Sequence, residues 1–264
     1  MAVEAVTPLG MSDFENAVVL ITGAASGIGA ATASLLASRG AKKLVLVDLD
    51  EDRMRDFAFS LPCERQIIVG DVSDERLWEQ ADLTGVTHAL VNAGIGAGTT
   101  ICDTSLEEWR RVLSVNLDGA FLTLRAALRA IRSGGQGGAI VLTASVAGIK
   151  AEPGIAAYGA SKAAVIQLAR IAAKEAGGHG IRVNSIAPGG VETPIWQNVP
   201  FFRDLVASTG SEEAAFHAMG TAAPAPLSRF AKADEIAAQI AFLLSEEAAF
   251  ITGSCLVSDG GYSL

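Results

Sequence analysis

The feature that most constrains this chain is a rhythm. Short apolar runs, each stopped by a small polar residue or glycine, alternate with longer stretches of helical spacing. Ala17-Val18-Val19-Leu20-Ile21 ends at Thr22-Gly23, and helical spacing over 27–39 stops at Gly40. Lys43-Leu44-Val45-Leu46-Val47 ends at Asp48, and a charged helical stretch begins at Glu51. Gln66–Val69 ends at Gly70-Asp71, and Ala89–Val91 at Asn92. A long helical pattern runs from about Leu106 to Arg132 and breaks over Gly134–Gly138. Ala139–Thr143, helical 157–176, Arg182–Ile186, helical 234–244 and Cys255–Val257 complete the series. Short, mainly apolar runs of this kind are what strands buried on both faces require. Strict alternation with helices predicts an α/β chain: one doubly wound, parallel sheet of about seven strands with helices on both faces. In such sheets ligands bind beyond the carboxyl ends of the strands, where the strand order reverses. The residues just after the strands are therefore the ones to read for function.

Composition narrows the class. The 264 residues are half hydrophobic, 28 are Gly, and the formal charge is −9 without a Lys/Arg cluster. That excludes the basic footprint of a nucleic-acid partner. Residues 1–13 lack the charged and apolar regions of a signal peptide. No run reaches the ~18–20 apolar residues of a membrane span, so the expectation is a cytoplasmic protein without a membrane partner. Cys63, Cys102 and Cys255 form no C-x-x-C pair, and His88, His179 and His217 show no metal-ligand spacing, so no metal is expected. The expected organisation is a flexible extension over 1–13, with Met11 as an alternative start, and one domain over 14–264.

One strand end has the shape of a phosphate cradle. Thr22-Gly23-Ala24-Ala25-Ser26-Gly27-Ile28-Gly29 joins the first strand to the first helix. Glycines allow a sharp turn and close approach of the backbone, and the helix start offers free N–H groups and a positive dipole end. By itself such a turn also serves structure alone. Asp48, 19 residues beyond Gly29, stands where a carboxylate hydrogen-bonds the adenosine ribose of NAD. It would repel the 2′-phosphate of NADP. No Lys or Arg lies within 22–29, and Leu49 follows Asp48. The Rossmann-like reading thus carries NAD as cofactor.

A second group carries chemistry. Ser145 follows the fifth strand, Tyr158 comes 13 residues later and Lys162 four after that. Spacing of i,i+4 puts Tyr158 and Lys162 on one helix face. A free phenol, with a pKa of about 10, exchanges protons poorly near neutrality. A neighbouring ammonium stabilises the phenolate and is expected to lower that pKa. Ser145 would hold the reacting oxygen. A lone Y-x-x-x-K also fits an ordinary amphipathic face; its weight comes from the company it keeps.

Together these motifs resemble the classical short-chain dehydrogenase/reductase family over nearly the whole chain. The resemblance rests on Thr22–Gly29, Asp71-Val72, Asn92-Ala93-Gly94, Asn116 within Ser114–Leu117, Ser145, Tyr158, Lys162, Pro188-Gly189 and Thr193. It implies hydride transfer between NAD and a secondary alcohol or ketone, with Ser145, Tyr158, Lys162 and Asn116 catalytic. It implies that Gly23, Ser26, Gly27, Ile28, Gly29, Asp48, Leu49, Asp71, Val72, Asn92, Ala93, Gly94, Tyr158, Lys162, Pro188, Gly189, Val191 and Thr193 contact the cofactor. Asn116 would bend its helix and hold a water of a proton relay. Lys162 would also hold the nicotinamide ribose. Two departures stand out: Val91 replaces a common Asn, and the stretch from Val72 to Asn92 is short, which predicts a helix cut by a turn or more.

Residues 190–230 are the least regular, with Trp196, Phe201, Phe202, Phe216 and Met219 set among prolines. The resemblance makes this a lid over the substrate. Its aromatics suit a hydrophobic or cyclic substrate, and equally suit packing of the lid on the body. Ser145, Tyr158, Ile149, Ile155, Gly190 and Trp196 are the expected substrate contacts, while Glu152 reads as a solvated loop acid. The C-terminal Asp259–Leu264 resembles a segment near a subunit interface in relatives, which implies a homotetramer or homodimer. Two other readings stay open: an NADPH-dependent 3-oxoacyl-carrier-protein reductase, which Asp48 opposes, and a non-catalytic NAD(H) sensor, which the intact Ser145, Tyr158, Lys162 and Asn116 oppose.

Overall fold

The computed structural model describes residues 13–96 and 98–264; the expected N-terminal extension lies outside the described residues but for Asp13. Val18–Thr22 (β1), Lys43–Asp48 (β2), Glu64–Val69 (β3), His88–Val91 (β4), Gly138–Thr143 (β5) and Ile181–Pro188 (β6) are strands. A two-residue pair follows, Val191–Glu192 (β7) with Ala231–Lys232 (β8), and then Cys255–Ser258 (β9). Seven strands form one parallel sheet in the order β3-β2-β1-β4-β5-β6-β9. The chain builds outward from β1 to β3, then crosses back to place β4 on the other side of β1. The strand order reverses there, so the crevice at the ends of β1 and β4 is the expected ligand position.

Both faces of the sheet are covered, which is why its central strands read as unbroken apolar runs. Val18 and Leu20 of β1 pack in one hydrophobic cluster, and Val19 and Ile21 in the other. The second cluster is closed by Gly27–Ser38 (α1), Glu51–Phe59 (α2) and Ala233–Leu244 (α9). The first is closed by Glu75–Gln80 (α3), Gly119–Gly134 (α5) and Ala156–Ala176 (α6). Full burial of each such Leu or Ile is worth about 1.5–3 kcal/mol. Local chemistry sets the helix starts: Asp50 caps α2, Asp74 caps α3, and Ser105 caps Leu106–Leu113 (α4), each accepting an amide hydrogen of the first turn.

The helix between Val72 and Asn92 is indeed short: α3 has six residues. Trp78 pins it, its indole N–H donating to the Val72 carbonyl at 2.8 Å. Segment 190–230 is more regular than its sequence suggests. It holds β7, a 3₁₀ turn at Pro194–Asn198, Pro200–Thr209 (α7) and Glu212–Ala222 (α8). Phe202, Ala215, Phe216 and Phe230 give it a small core of its own.

Candidate active site

The turn after β1 is shaped by glycines that nothing larger replaces. Gly23 and Gly27 adopt φ of 65° and 53°. A Cβ on Gly29 would lie 2.0 Å from the Gly23 carbonyl oxygen, so this helix start lies directly on the preceding turn. The first turn of α1 carries no acid. No acid of the helix itself therefore engages its first N–H groups or opposes its dipole, as an anion-binding helix start requires.

Asp48 completes the turn. Its Oδ2 accepts the Ala25 amide at 2.9 Å, and its Oδ1 accepts the Leu49 and Asp50 amides at 2.8 and 3.1 Å. The side chain of Leu49 beside it is 71% exposed. Asp71 accepts the amide and the hydroxyl of Ser73, both at 2.8 Å. Val72 is buried against Gly119, where a Cβ would meet it at 2.6 Å.

The end of β4 is tied to the same turn. The Thr22 hydroxyl oxygen accepts the amides of Asn92 and Ala93 at 3.0 and 3.2 Å, and the Asn92 amide group donates to the Thr22 carbonyl at 3.1 Å. Gly94 comes next, where a Cβ would stand 3.2 Å from Asn116 Oδ1 and 3.4 Å from Lys162 Nζ. The glycine thus leaves room for those two side chains to converge.

Asn116 is 1% exposed and lies in a π-helical turn, Ser114–Asp118, between α4 and α5. Its Oδ1 accepts the Ile95 amide at 2.8 Å. Its Nδ2 donates to the Ile95 carbonyl at 3.0 Å and to the Ser161 hydroxyl at 3.3 Å. The side chain staples the loop after β4 to α6.

Ser145 caps a 3₁₀ turn, Val146–Gly148, that lies against α6. A Cβ on Gly148 would fall 2.7 Å from the Ala163 nitrogen, and one on Gly159 would fall 3.0 Å from the Ala147 carbonyl oxygen. These two glycines bring Ser145 beside Tyr158, and nothing in the local spacing announces them. Lys162 is 4% exposed; its Nζ donates to the Thr143 carbonyl at 2.8 Å and lies 5.7 Å from the centroid of the Tyr158 ring. Burial depresses the lysine to about 8.

The tyrosine departs from expectation. Burial pushes the Tyr158 phenol above its ordinary value, and hydrogen bonding to Ser145 only opposes this. A reading of charges along a helix predicts a lowered value; desolvation, which the tertiary fold imposes, works the other way.

The end of β6 places Pro188 and Gly189 beside β9, with the Gly189 amide donating to the Ser258 carbonyl at 2.9 Å. Gly190 is pressed on Phe230, and Gly27 faces Thr193, a Cβ there standing 3.2 Å from the threonine side chain. Segment 190–230 therefore begins against the glycine turn. Trp196 turns into the small core of segment 190–230: its ring centroid is 5.5 Å from Phe230 and 6.3 Å from Phe202, and its N–H donates to the Val191 carbonyl at 2.9 Å. Ile149 is 49% exposed, and Ile155 bridges to Thr99. Glu152, read as a solvated loop acid, instead accepts a 2.5 Å hydrogen bond from the Tyr262 hydroxyl, 110 residues away.

A family profile described as "Enoyl-(Acyl carrier protein) reductase" matches residues 23–263. The chain is 35% identical to 2,5-dichloro-2,5-cyclohexadiene-1,4-diol dehydrogenase of Sphingobium indicum, over 96% of this chain and 99% of that protein. It is 36% identical to cis-4-hydroxycyclohexanecarboxylate dehydrogenase of Sinomonas cyclohexanicum, over 95% and 98%. The crystal structure of levodione reductase superposes with a TM-score of 0.82 at 35% identity, covering 95% of this chain and 98% of that one.

Proposed function

The chain belongs to the short-chain dehydrogenase/reductase family and acts on CH–OH groups, and from that premise we propose that it is an NAD-dependent dehydrogenase of a hydrophobic, cyclic secondary alcohol, with Tyr158 as acid and base. The observation that carries the reading is the grouping of Tyr158, Lys162, Ser145 and Asn116 beyond the ends of β4 and β5, next to a glycine turn closed by a carboxylate. The dehydrogenases of cyclic alcohols among its relatives support the substrate class.

The residues present fit a dinucleotide. The glycines let the turn at Gly23–Gly29 fold tightly on itself and against Asn92 and Thr193, and α1 starts there with N–H groups that no acid of its first turn engages. Asp48 is fixed by three amides, so it cannot swing away from a ribose 2′-phosphate; this supports NAD over NADP. Leu49 and Asp71 would flank the adenine end, and Lys162, Val191 and Thr193 the nicotinamide end. When bound, the nicotinamide supplies the acceptor or donor of hydride.

The protein's part is proton handling. In oxidation the Tyr158 phenolate takes the hydroxyl proton of the alcohol; in reduction the phenol returns it. Ser145 holds the same oxygen and stabilises its developing charge. A phenol raised by burial needs a compensating positive charge, and in a desolvated cleft the nearby Lys162 ammonium acts strongly. Asn116 holds the loop at Ile95 and, through Ser161, the helix that presents both residues. A reaction through these groups needs no metal ligand.

The test is NADH formation over a panel of cyclic and acyclic secondary alcohols, with NADP in parallel and Tyr158→Phe as control. Turnover with NAD that disappears in the variant supports the proposal. Preference for NADP sinks the Asp48 argument and favours the 3-oxoacyl reductase reading. NADH binding without turnover of any alcohol favours the sensor.

A further inference from the structure

The turn that follows β9 touches three parts of the cleft at once. Asp259 folds it: Oδ1 accepts the Gly261 amide at 2.9 Å and Oδ2 accepts the Ser263 amide at 2.8 Å. Gly260 and Gly261 take φ of 63° and 87°. On one side the turn meets the end of the lid. The Leu227 amide donates to the Gly260 carbonyl at 3.2 Å, and Gly261 lies on Pro226, where a Cβ would be 2.7 Å from the ring. Below, Asp259 backs Gly189, where a Cβ would be 2.9 Å from its Cα.

On the third side Tyr262 reaches the loop between Ser145 and Tyr158. Its hydroxyl donates to Glu152 at 2.5 Å. Lys150 Nζ donates to the Tyr262 carbonyl at 2.8 Å and lies 3.9 Å from the centroid of its ring. The arrangement is selective. Lys150 and Glu152 are two residues apart, yet each addresses the tyrosine. The phenol–carboxylate bond is of the charge-assisted kind, stronger than a neutral pair. Ile149 and Ile155 stand at the two ends of the loop so held, and Ile155 is bridged to Thr99 on its far side.

We infer that Tyr262 is a positioning residue of the substrate cleft: it joins Glu152 on one wall to a turn that grips the end of the lid on the other, and so sets the spacing between the walls. The inference rests on the reading that the Ser145–Tyr158 loop and the 190–230 segment border the substrate. Tyr262 touches no reacting group. Its effect falls on how well a bulky ring is held, and not on the proton transfer itself.

The experiment compares wild type with Tyr262→Phe, Glu152→Ala, Glu152→Gln and the double variant Tyr262→Phe/Glu152→Ala. Tyr262→Phe keeps the ring over Lys150 and removes only the hydroxyl. The KM for a cyclic alcohol is expected to rise about tenfold, the effect of one hydrogen bond to a charged group. The kcat and the affinity for NADH stay unchanged, and a small acyclic alcohol is turned over as before. Glu152→Gln, which retains an acceptor, restores most of what Glu152→Ala loses, and the double variant is no worse than either single one. Hydrogen–deuterium exchange provides a readout that needs no turnover: in Tyr262→Phe, amides of both 149–155 and 190–230 exchange faster. Faster exchange confined to 259–264, or a fall in kcat with KM unmoved, overturns the inference. If wild type turns over no alcohol, the proposed function fails, while the exchange comparison still decides the role of Tyr262.

Discussion

The Lys162 ammonium is buried beside Tyr158 with the Thr143 carbonyl as its hydrogen-bond acceptor at 2.8 Å. A cation held this way costs stability. Its folded value of about 8 lies below the ordinary 10.5 of the unfolded chain. The unfolded state therefore binds the extra proton between those values, and stability rises with pH from about 8 to 10.5. Below pH 8 the full cost stands, on the order of 3 kcal/mol. Lys162→Met removes it at the expense of one unpaired carbonyl, about 1 kcal/mol. The variant should be inactive yet melt a few degrees higher than wild type at pH 7, with the gap closing toward pH 10. A lower Tm at pH 7 would show that the ammonium stabilises the fold.

Replacing Tyr158 with Phe should lower kcat by about 10²–10⁴-fold, the usual worth of a positioned acid or base. The ring is kept, so the Tm and the affinity for NADH should not move. Steady-state kinetics beside a binding titration test this, and residual activity within tenfold of wild type would assign the proton transfer to another group.

On the proposed reading Asp48 would reject a 2′-phosphate, and its carboxylate orders the glycine turn through three amides. Asp48→Ser with Leu49→Arg should shift the ratio of kcat/KM for NAD over NADP by about 100-fold or more toward NADP, equivalent to about 2.8 kcal/mol. Because three amides lose their acceptor, the variant should also lose about 1–2 kcal/mol of stability. An unchanged cofactor ratio would remove the basis for proposing NAD.

His88 supplies a pH-dependent contribution far from the cleft. Its Nδ1 is 2.8 Å from the Thr87 hydroxyl, and burial, aided by the Arg182 charge, lowers it to about 4 from 6.5. A depressed value means that the unfolded chain takes the proton first. The contribution is complete above about pH 6.5 and is lost as pH falls toward 4, on the order of 2–3 kcal/mol across that window. Urea denaturation at pH 7.5 and 5.0 measures the loss, and His88→Gln should flatten it. Equal slopes for the two proteins would rule His88 out as its source.

Much of this architecture is legible in the chain because it is local. The apolar runs become the strands of one sheet, with ends displaced by a residue or two; β3 starts at Glu64 and β6 extends to Pro188. The glycine turn and the spacing of Tyr158 and Lys162 also survive intact, since a βα turn and an i,i+4 pair are defined within a few residues. What escapes a linear reading is long-range. The rise in the Tyr158 value comes from desolvation by distant elements. Gly148 and Gly159 reveal their purpose only once the 3₁₀ turn lies on α6. Glu152 finds Tyr262 across 110 residues. The aromatics of segment 190–230 fill a small core, and their order along the chain does not say whether rings point inward or toward a ligand.

The π-turn at Ser114–Asp118 carries a consequence for changes of chain length. Such a turn holds one residue more per turn than the helix around it, so it is equivalent to a one-residue insertion. Deleting one residue there would restore an ideal helix from α4 into α5 and relieve the irregularity. It would also rotate every side chain upstream by roughly 100°, a third of a turn, and carry Asn116 away from Ile95 and Ser161. Reading frame and cleft are thus locked together at that point: the helix would gain regularity from losing a residue, and the site would lose its staple.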